Sequence, residues 1–213
     1  MWQIDQWPIP TFHVFLSHCR EDRGWLVEPL IKRLARRGIL AWYDQQNYPR
    51  ATDAAQSLQD GLIKCRHAVF LSSHDYLEQP RGWNHWELAF ATVIQANLQS
   101  QIPLTNFILP IGLIDRTDPS LAGTAWQFIE APRWMFCPRT CRSTSPARDR
   151  ATAVGWAADQ ITRFVYEQQD YARDVEQRIH TNPFLRMDVE GPGPGLIHDQ
   201  RRDRILLRDN LHI

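Results

Sequence analysis

The sequence predicts an α/β domain with a doubly wound parallel sheet, on three observations. Four short apolar runs recur along the chain: FHVFLS at 12–17, ILAWY at 39–43, HAVFLS at 67–72 and FILPIGL at 107–113. They are continuously apolar rather than alternating, as strands buried on both faces require. Helix-length amphipathic segments lie between them, and strands that alternate with helices run parallel because each right-handed crossover passes over one face of the sheet.

The first run is the first strand. A helix from about Glu21 to Arg37 follows, with Trp25, Leu26, Leu30 and Leu34 inward and Gly38 just past its end. Pro29 must sit in or near the first turn of that helix, or kink it. After the second strand, Thr52 or Asp53 caps a helix that turns Leu58, Leu62 and Ile63 to one side. The third strand leads to a helix that begins near Trp83 and buries Trp86, Phe90, Val93 and Ile94. In the fourth strand Pro110 has no N–H to give a ladder, which suits a strand end or a bulge. QFIE at 127–130 and WMFC at 134–137 supply a short fifth strand, and Ser145-Pro146 opens a helix carrying Val154, Ala158, Ile161 and Val165. The whole is a flavodoxin-like three-layer domain with strand order 2-1-3-4-5. GPGPG at 191–195 then marks a turn-rich break before a charged terminal stretch.

Composition excludes several function classes. Lys plus Arg equal Asp plus Glu at 24 each, so no net field draws in nucleic acid or an anionic membrane. No stretch approaches the roughly 20 apolar residues that span a bilayer, and the N-terminus lacks a basic, apolar leader. A soluble, cytoplasmic protein is expected. Of Cys19, Cys65, Cys137 and Cys141 only the last two are close, without a second cluster to complete a zinc site, so all four read as free thiols in a reducing compartment. His13, His67, His74 and His85 have no partners at ligand spacing, and no metal is expected.

In such a sheet, ligands bind beyond the carboxyl ends of the strands where the strand order reverses, between strands one and three. Strand one ends in Ser17, His18, Cys19 and Arg20, and strand three in Ser72 and Ser73. Hydroxyls, an imidazole and a guanidinium suit phosphate or ribose oxygens, although strand ends are commonly polar. Trp83, Trp86 and Glu87 stand at i, i+3 and i+4 of the third helix and share one side of it. Two aromatic planes beside a carboxylate make a pocket for a flat ring on a sugar. The competing reading puts both tryptophans in the core and Glu87 in solvent near a helix N-terminus.

Several motifs in fixed order resemble the TIR (Toll/interleukin-1 receptor) domain: VFLSH at 14–18, RRGILAWYD at 36–44, VFLSS at 69–73, the W-x-x-x-E of WNHWEL at 83–88, and FILPIGL followed by Asp118-Pro119. The resemblance covers residues 11–166 as the TIR domain and leaves 167–213 as a C-terminal extension. It implies cleavage of the nicotinamide–ribose bond of NAD⁺, which is substrate and not cofactor, with Glu87 as the catalytic carboxylate. Trp83 and Trp86 would lie beside the nicotinamide, and Phe15, Ser17, His18, Arg20, Asp44 and Ser72 would hold ribose and phosphates. Residues 44–53 stand where the family has its BB loop, which helps complete a neighbouring subunit's site, so self-association is implied. The Gly that relatives often carry near the end of this loop is missing before Gly61.

The chain also resembles the stand-alone TIR proteins of bacterial antiphage systems such as Thoeris, whose product, ADP-ribose or a cyclic isomer, is read by a separate effector. Two other classes compete: a non-catalytic TIR adaptor acting by homotypic assembly, and a nucleoside deoxyribosyltransferase-like enzyme, which shares the architecture and a catalytic carboxylate.

Overall fold

The computed structural model describes residues 10–43, 54–77, 83–99, 106–121 and 135–181. Five strands, β1 (Phe12–Ser17), β2 (Ala41–Trp42), β3 (Cys65–Ser72), β4 (Ile108–Gly112) and β5 (Met135–Phe136), form one all-parallel sheet in the order β2-β1-β3-β4-β5. The helices are α1 (Glu28–Ala35), α2 (Ala54–Ile63), the single turn α3 (His74–Leu77), α4 (Trp83–Gln99) and α5 (Ala147–Thr181). The expected order 2-1-3-4-5 is therefore the observed one. The N-caps expected at Thr52 or Asp53, the QFIE segment and the GPGPG break lie outside the described residues. WMFC supplies β5.

The apolar runs fill two cores, one on each face. Val14, Leu16, Val69, Leu71, Leu109 and Ile111 meet Leu26, Leu30 and Leu34 and the Val154, Ala158, Ile161 and Val165 stripe of α5. Phe15, Trp42, Ala68, Phe70 and Ile108 meet Leu58 and Leu62 of α2 and Leu88, Ala91 and Ile94 of α4. Strand alternation thus sends both residue parities into apolar surroundings, which is why these runs are continuous. Helix α5 continues without a break past Tyr166, the expected end of the domain, to Thr181.

Three local expectations change. The first helix is not one helix: a 3₁₀ turn (Arg20–Asp22) and a π turn (Arg23–Val27) precede α1. Pro29 is the second residue of α1, and the widened π turn before it, closed by Glu28 N–H to the Arg23 carbonyl, lets the chain enter the α-helix at a proline. Gly38 does end this region in the left-handed conformation, at φ 74°.

Pro110 lies mid-strand, not at an end or bulge, opposite Phe70 of β3. Ala68 N–H donates to the Phe107 carbonyl at 2.7 Å and Leu113 N–H to Ser72 at 2.9 Å, so odd-numbered residues bond β3. Pro110 therefore turns its nitrogen toward β5, whose described pairing starts only at Ile111, and no ladder bond is lost among the described residues.

On α4, Ile94 is buried and Phe90 half-buried, but Trp86 is 61% and Val93 53% exposed. The inward stripe is Asn84, Leu88, Ala91 and Ile94, with the buried Asn84 amide donating to the Tyr76 carbonyl at 2.9 Å.

Two stability predictions arise from this packing. Trp42 stacks on Phe15 at 4.6 Å, and a Cβ on Gly61 of α2 would stand 2.6 Å from two Trp42 ring carbons. Gly61→Ala should therefore destabilise by about 1–3 kcal/mol through displacement of that indole, although helix propensity alone favours Ala by about 1 kcal/mol. A thermal midpoint that rises in the variant would contradict the packing.

The second concerns acid. Burial pushes the His67 imidazole down to about 3, and His13 is lowered by burial and by Arg66. His13 Nδ1 accepts the Leu40 N–H at 2.9 Å, a bond only the unprotonated nitrogen makes. Both rings are neutral in the fold, while the unfolded chain takes up protons below about pH 6.5. Stability is thus full above that pH and falls as pH drops toward the folded value of His67. By pH 5 the loss from His67 is about 2 kcal/mol, His13 adds in the same direction, and thermal melts should show a drop that His67→Gln lessens.

Candidate active site

Alternation places the functional side chains. Val14 and Leu16 belong to one core and Phe15 to the other, so Ser17 projects on the side of Phe15; Ala68 and Phe70 put Ser72 on that same side. Helix α4 packs there, and its Glu87 lies over the carboxyl ends of β1 and β3, the crevice the topology favours.

The carboxylate is held from below. Ser17, 1% exposed, donates its hydroxyl to Glu87 Oε2. Ser17 Oγ also lies 2.7 Å from the hydroxyl of Tyr76, which is fully buried on α3. Burial, and after it the charge of Glu87, hold the Tyr76 phenol well above its usual range. Tyr76 is fixed at both ends of its backbone: its N–H donates to Ser73 Oγ at 3.0 Å and its carbonyl accepts from Asn84.

A second buried network braces the same strand ends. Asp22 accepts from Cys19 Sγ and the Trp25 indole, each at 2.9 Å, and from the Ser73 hydroxyl. Burial raises the Asp22 carboxyl, and these three donors pull it back. The Cys19 thiol is itself raised by burial and by Asp22, so it is a structural donor rather than a nucleophile.

Of the residues expected at the site, Glu87 and Ser17 are brought into contact. Phe15 and Ser72 are buried, the former stacked on Trp42, the latter with no bonded partner for its hydroxyl among the described residues. His18 is half-buried with Nδ1 3.0 Å from the Leu16 carbonyl, and Arg20 is exposed in the 3₁₀ turn. Trp86 stands in solvent on α4 beside Glu87, not in the core. Trp83 opens α4, but its side chain, like Asp44 and the rest of 44–53, lies outside the described residues.

Asp22, Tyr76 and Asn84 were not among the expected residues. C-x-x-D-x-x-W at 19–25 and S-x-x-Y at 73–76 carried the spacing that could have found the first two. No group of three or more metal-binding side chains is gathered among the described residues, and no described helix is long and apolar enough to cross a membrane. A cleft of about 370 Å³, lined by Trp25, Arg33, Arg150 and Val154 among others, lies between α1 and α5 on the opposite side of the sheet and contains none of the residues expected at the site.

A family model described as the TIR domain matches residues 14–131, more than half of the chain. The chain belongs to the TIR domain family. The chain is 31% identical over 77 residues to the NAD(+) hydrolase TcpC of Escherichia coli O6:H1, a match covering 36% of this chain and 24% of that protein. It is 26% identical over 114 residues to the 2′ cyclic ADP-D-ribose synthase AbTIR of Acinetobacter baumannii, covering 53% and 41%. The chain thus matches less than half the length of either relative. Among solved structures, the TIR domain of the Toll-related receptor TRR-2 from Hydra magnipapillata is similar at 22% identity and a TM-score of 0.37, over 47% of this chain and 70% of that one.

Proposed function

We propose that this TIR domain cleaves the nicotinamide–ribose bond of NAD⁺ with Glu87 as the catalytic carboxylate. The observation that carries the reading is a half-buried carboxylate, oriented by the Ser17 hydroxyl, above the β1 and β3 carboxyl ends. The activities in the names of the two bacterial relatives support it.

Nicotinamide leaves a cationic pyridinium as a neutral base, so the C1′–N bond can break with its electron pair passing to the ring nitrogen. The ribose is then oxocarbenium-like, and a fixed anion next to it stabilises the transition state more than the ground state. Glu87 supplies that anion. The acceptor bonds C1′ and releases a proton: water yields ADP-ribose, and an adenine nitrogen or ribose hydroxyl of the same molecule yields a cyclic isomer.

His18, Arg20 and Trp86 are assigned to the substrate side of Glu87, and Trp83 and Asp44 keep the substrate-binding roles that the family resemblance implies. Phe15, Ser17 and Ser72 build the floor beneath the carboxylate. The product serves, in this reading, as a cytoplasmic signal in bacterial antiphage immunity, read by a separate effector and made in a self-associated state.

The test is to incubate the protein with NAD⁺ and resolve the products by chromatography with mass detection. Nicotinamide together with a mass equal to cyclic ADP-ribose identifies a cyclase; nicotinamide with ADP-ribose identifies a hydrolase. No loss of NAD⁺ by folded, assembled protein would leave the non-catalytic adaptor in front.

A further inference from the structure

Three elements meet at the candidate carboxylate, and Ser17 joins them with a single proton. That proton goes to Glu87 Oε2, since an ionised carboxylate can only accept. Toward Tyr76, 2.7 Å away, Ser17 Oγ must then be the acceptor and the phenol the donor. A lone serine hydroxyl swings among its rotors, but one that already accepts from a buried phenol keeps its proton turned the other way.

We propose that Tyr76 is a positioning residue for the cleavage, donating to Ser17 so that the serine proton stays committed to Glu87 and the carboxylate keeps a fixed orientation beneath the ribose. The inference rests on Glu87 being the catalytic carboxylate.

The surroundings fit a positioning role. Tyr76 is anchored to the end of β3 through Ser73 and to α4 through Asn84, while Ser17 belongs to β1. The orientation of Glu87 is therefore referenced to the sheet and not only to its own helix. Asp22 continues the same chain of bonds by accepting from Ser73. The phenol also stays protonated, and so remains a donor, far above neutral pH. A tyrosine that merely filled the core would act through its ring alone, which Phe replaces without loss of volume.

Ser17→Ala, Tyr76→Phe and the double variant separate the two cases. Each single change should lower kcat about 10-fold or more while KM stays within about twofold, because orientation of the reacting group is lost rather than substrate affinity. The double variant should lose no more than Ser17→Ala alone, since Tyr76 acts through Ser17. In parallel, the ¹³C resonance of the Glu87 side-chain carboxyl, assigned by its disappearance in Glu87→Gln, should move in Tyr76→Phe in the same direction as in Ser17→Ala. Wild-type kcat in Tyr76→Phe, losses that multiply in the double variant, or an unmoved Glu87 resonance would overturn the proposal. Absence of turnover in the wild type is a different failure, that of the cleavage reading. The carboxyl resonance needs no substrate and still decides whether Tyr76 acts on Glu87.

Discussion

Glu87→Gln is expected to lower nicotinamide release from NAD⁺ at least about 100-fold, the scale on which removal of a charge-stabilising group acts at a reacting centre. The amide keeps the shape of the side chain and an oxygen that can accept from Ser17, so the fold should persist. What disappears is the negative charge, and with it the stabilisation of the developing cation on the ribose. Measured against a folding control, the thermal midpoint should shift by no more than about 3 °C. Retained turnover would move catalysis away from this carboxylate. Lost turnover accompanied by a collapsed midpoint would leave the assignment resting on a misfolded protein, and the Ser17→Ala variant would then have to carry it.

The second large effect is on stability. Asp22→Ala removes the acceptor shared by Cys19, Trp25 and Ser73, and leaves buried donors without it. The cost should be about 3 kcal/mol, a fall of roughly 6–12 °C in thermal midpoint for a chain of this size. Asp22→Asn should cost less, because it retains an acceptor and relieves the burial of charge that holds the Asp22 carboxyl above its ordinary value. The sign with pH follows from that direction. A carboxyl raised in the fold binds its proton more readily there than in the unfolded chain, so its favourable contribution is full below the unfolded value near 3.9 and is lost as pH rises through the folded one. His67 and His13 act in the opposite sense at higher pH, so melts of Asp22→Asn against pH should separate the two. Equal midpoints for Asp22→Ala and the wild type would mean that this network is not a brace.

The architecture was legible in the sequence because burial on both faces leaves no alternation: the runs that became β1, β3 and β4 have almost no polar residue to spare. Helix α4 shows where periodicity runs out. Trp86, Phe90 and Val93 fit one helical stripe, and Asn84, Leu88 and Ala91 fit another. The second faces inward, where Asn84 bonds α3 and Gln95 accepts from β4, contacts that the period alone does not reveal. Pro110 was misplaced because the parity of a strand's hydrogen bonds, which turns its nitrogen toward β5, depends on its neighbours and not on its own sequence.

For the candidate site, the W-x-x-x-E motif singles out Glu87 and the end of its strand singles out Ser17, and the structure brings the two into contact. Asp22 and Tyr76 were not, since acidic and aromatic residues in short connections ordinarily face solvent or fill space. Their roles come from bonds between residues 51 to 59 positions apart in the chain, Asp22 with Ser73 and Ser17 with Tyr76.

The central claim is tested most directly by nicotinamide release from NAD⁺, followed side by side for the wild type and Glu87→Gln over a range of protein concentrations that spans self-association. Release by the wild type that is absent from the equally folded variant is the predicted result. Equal release by both, or none by the wild type at any concentration, would contradict the account.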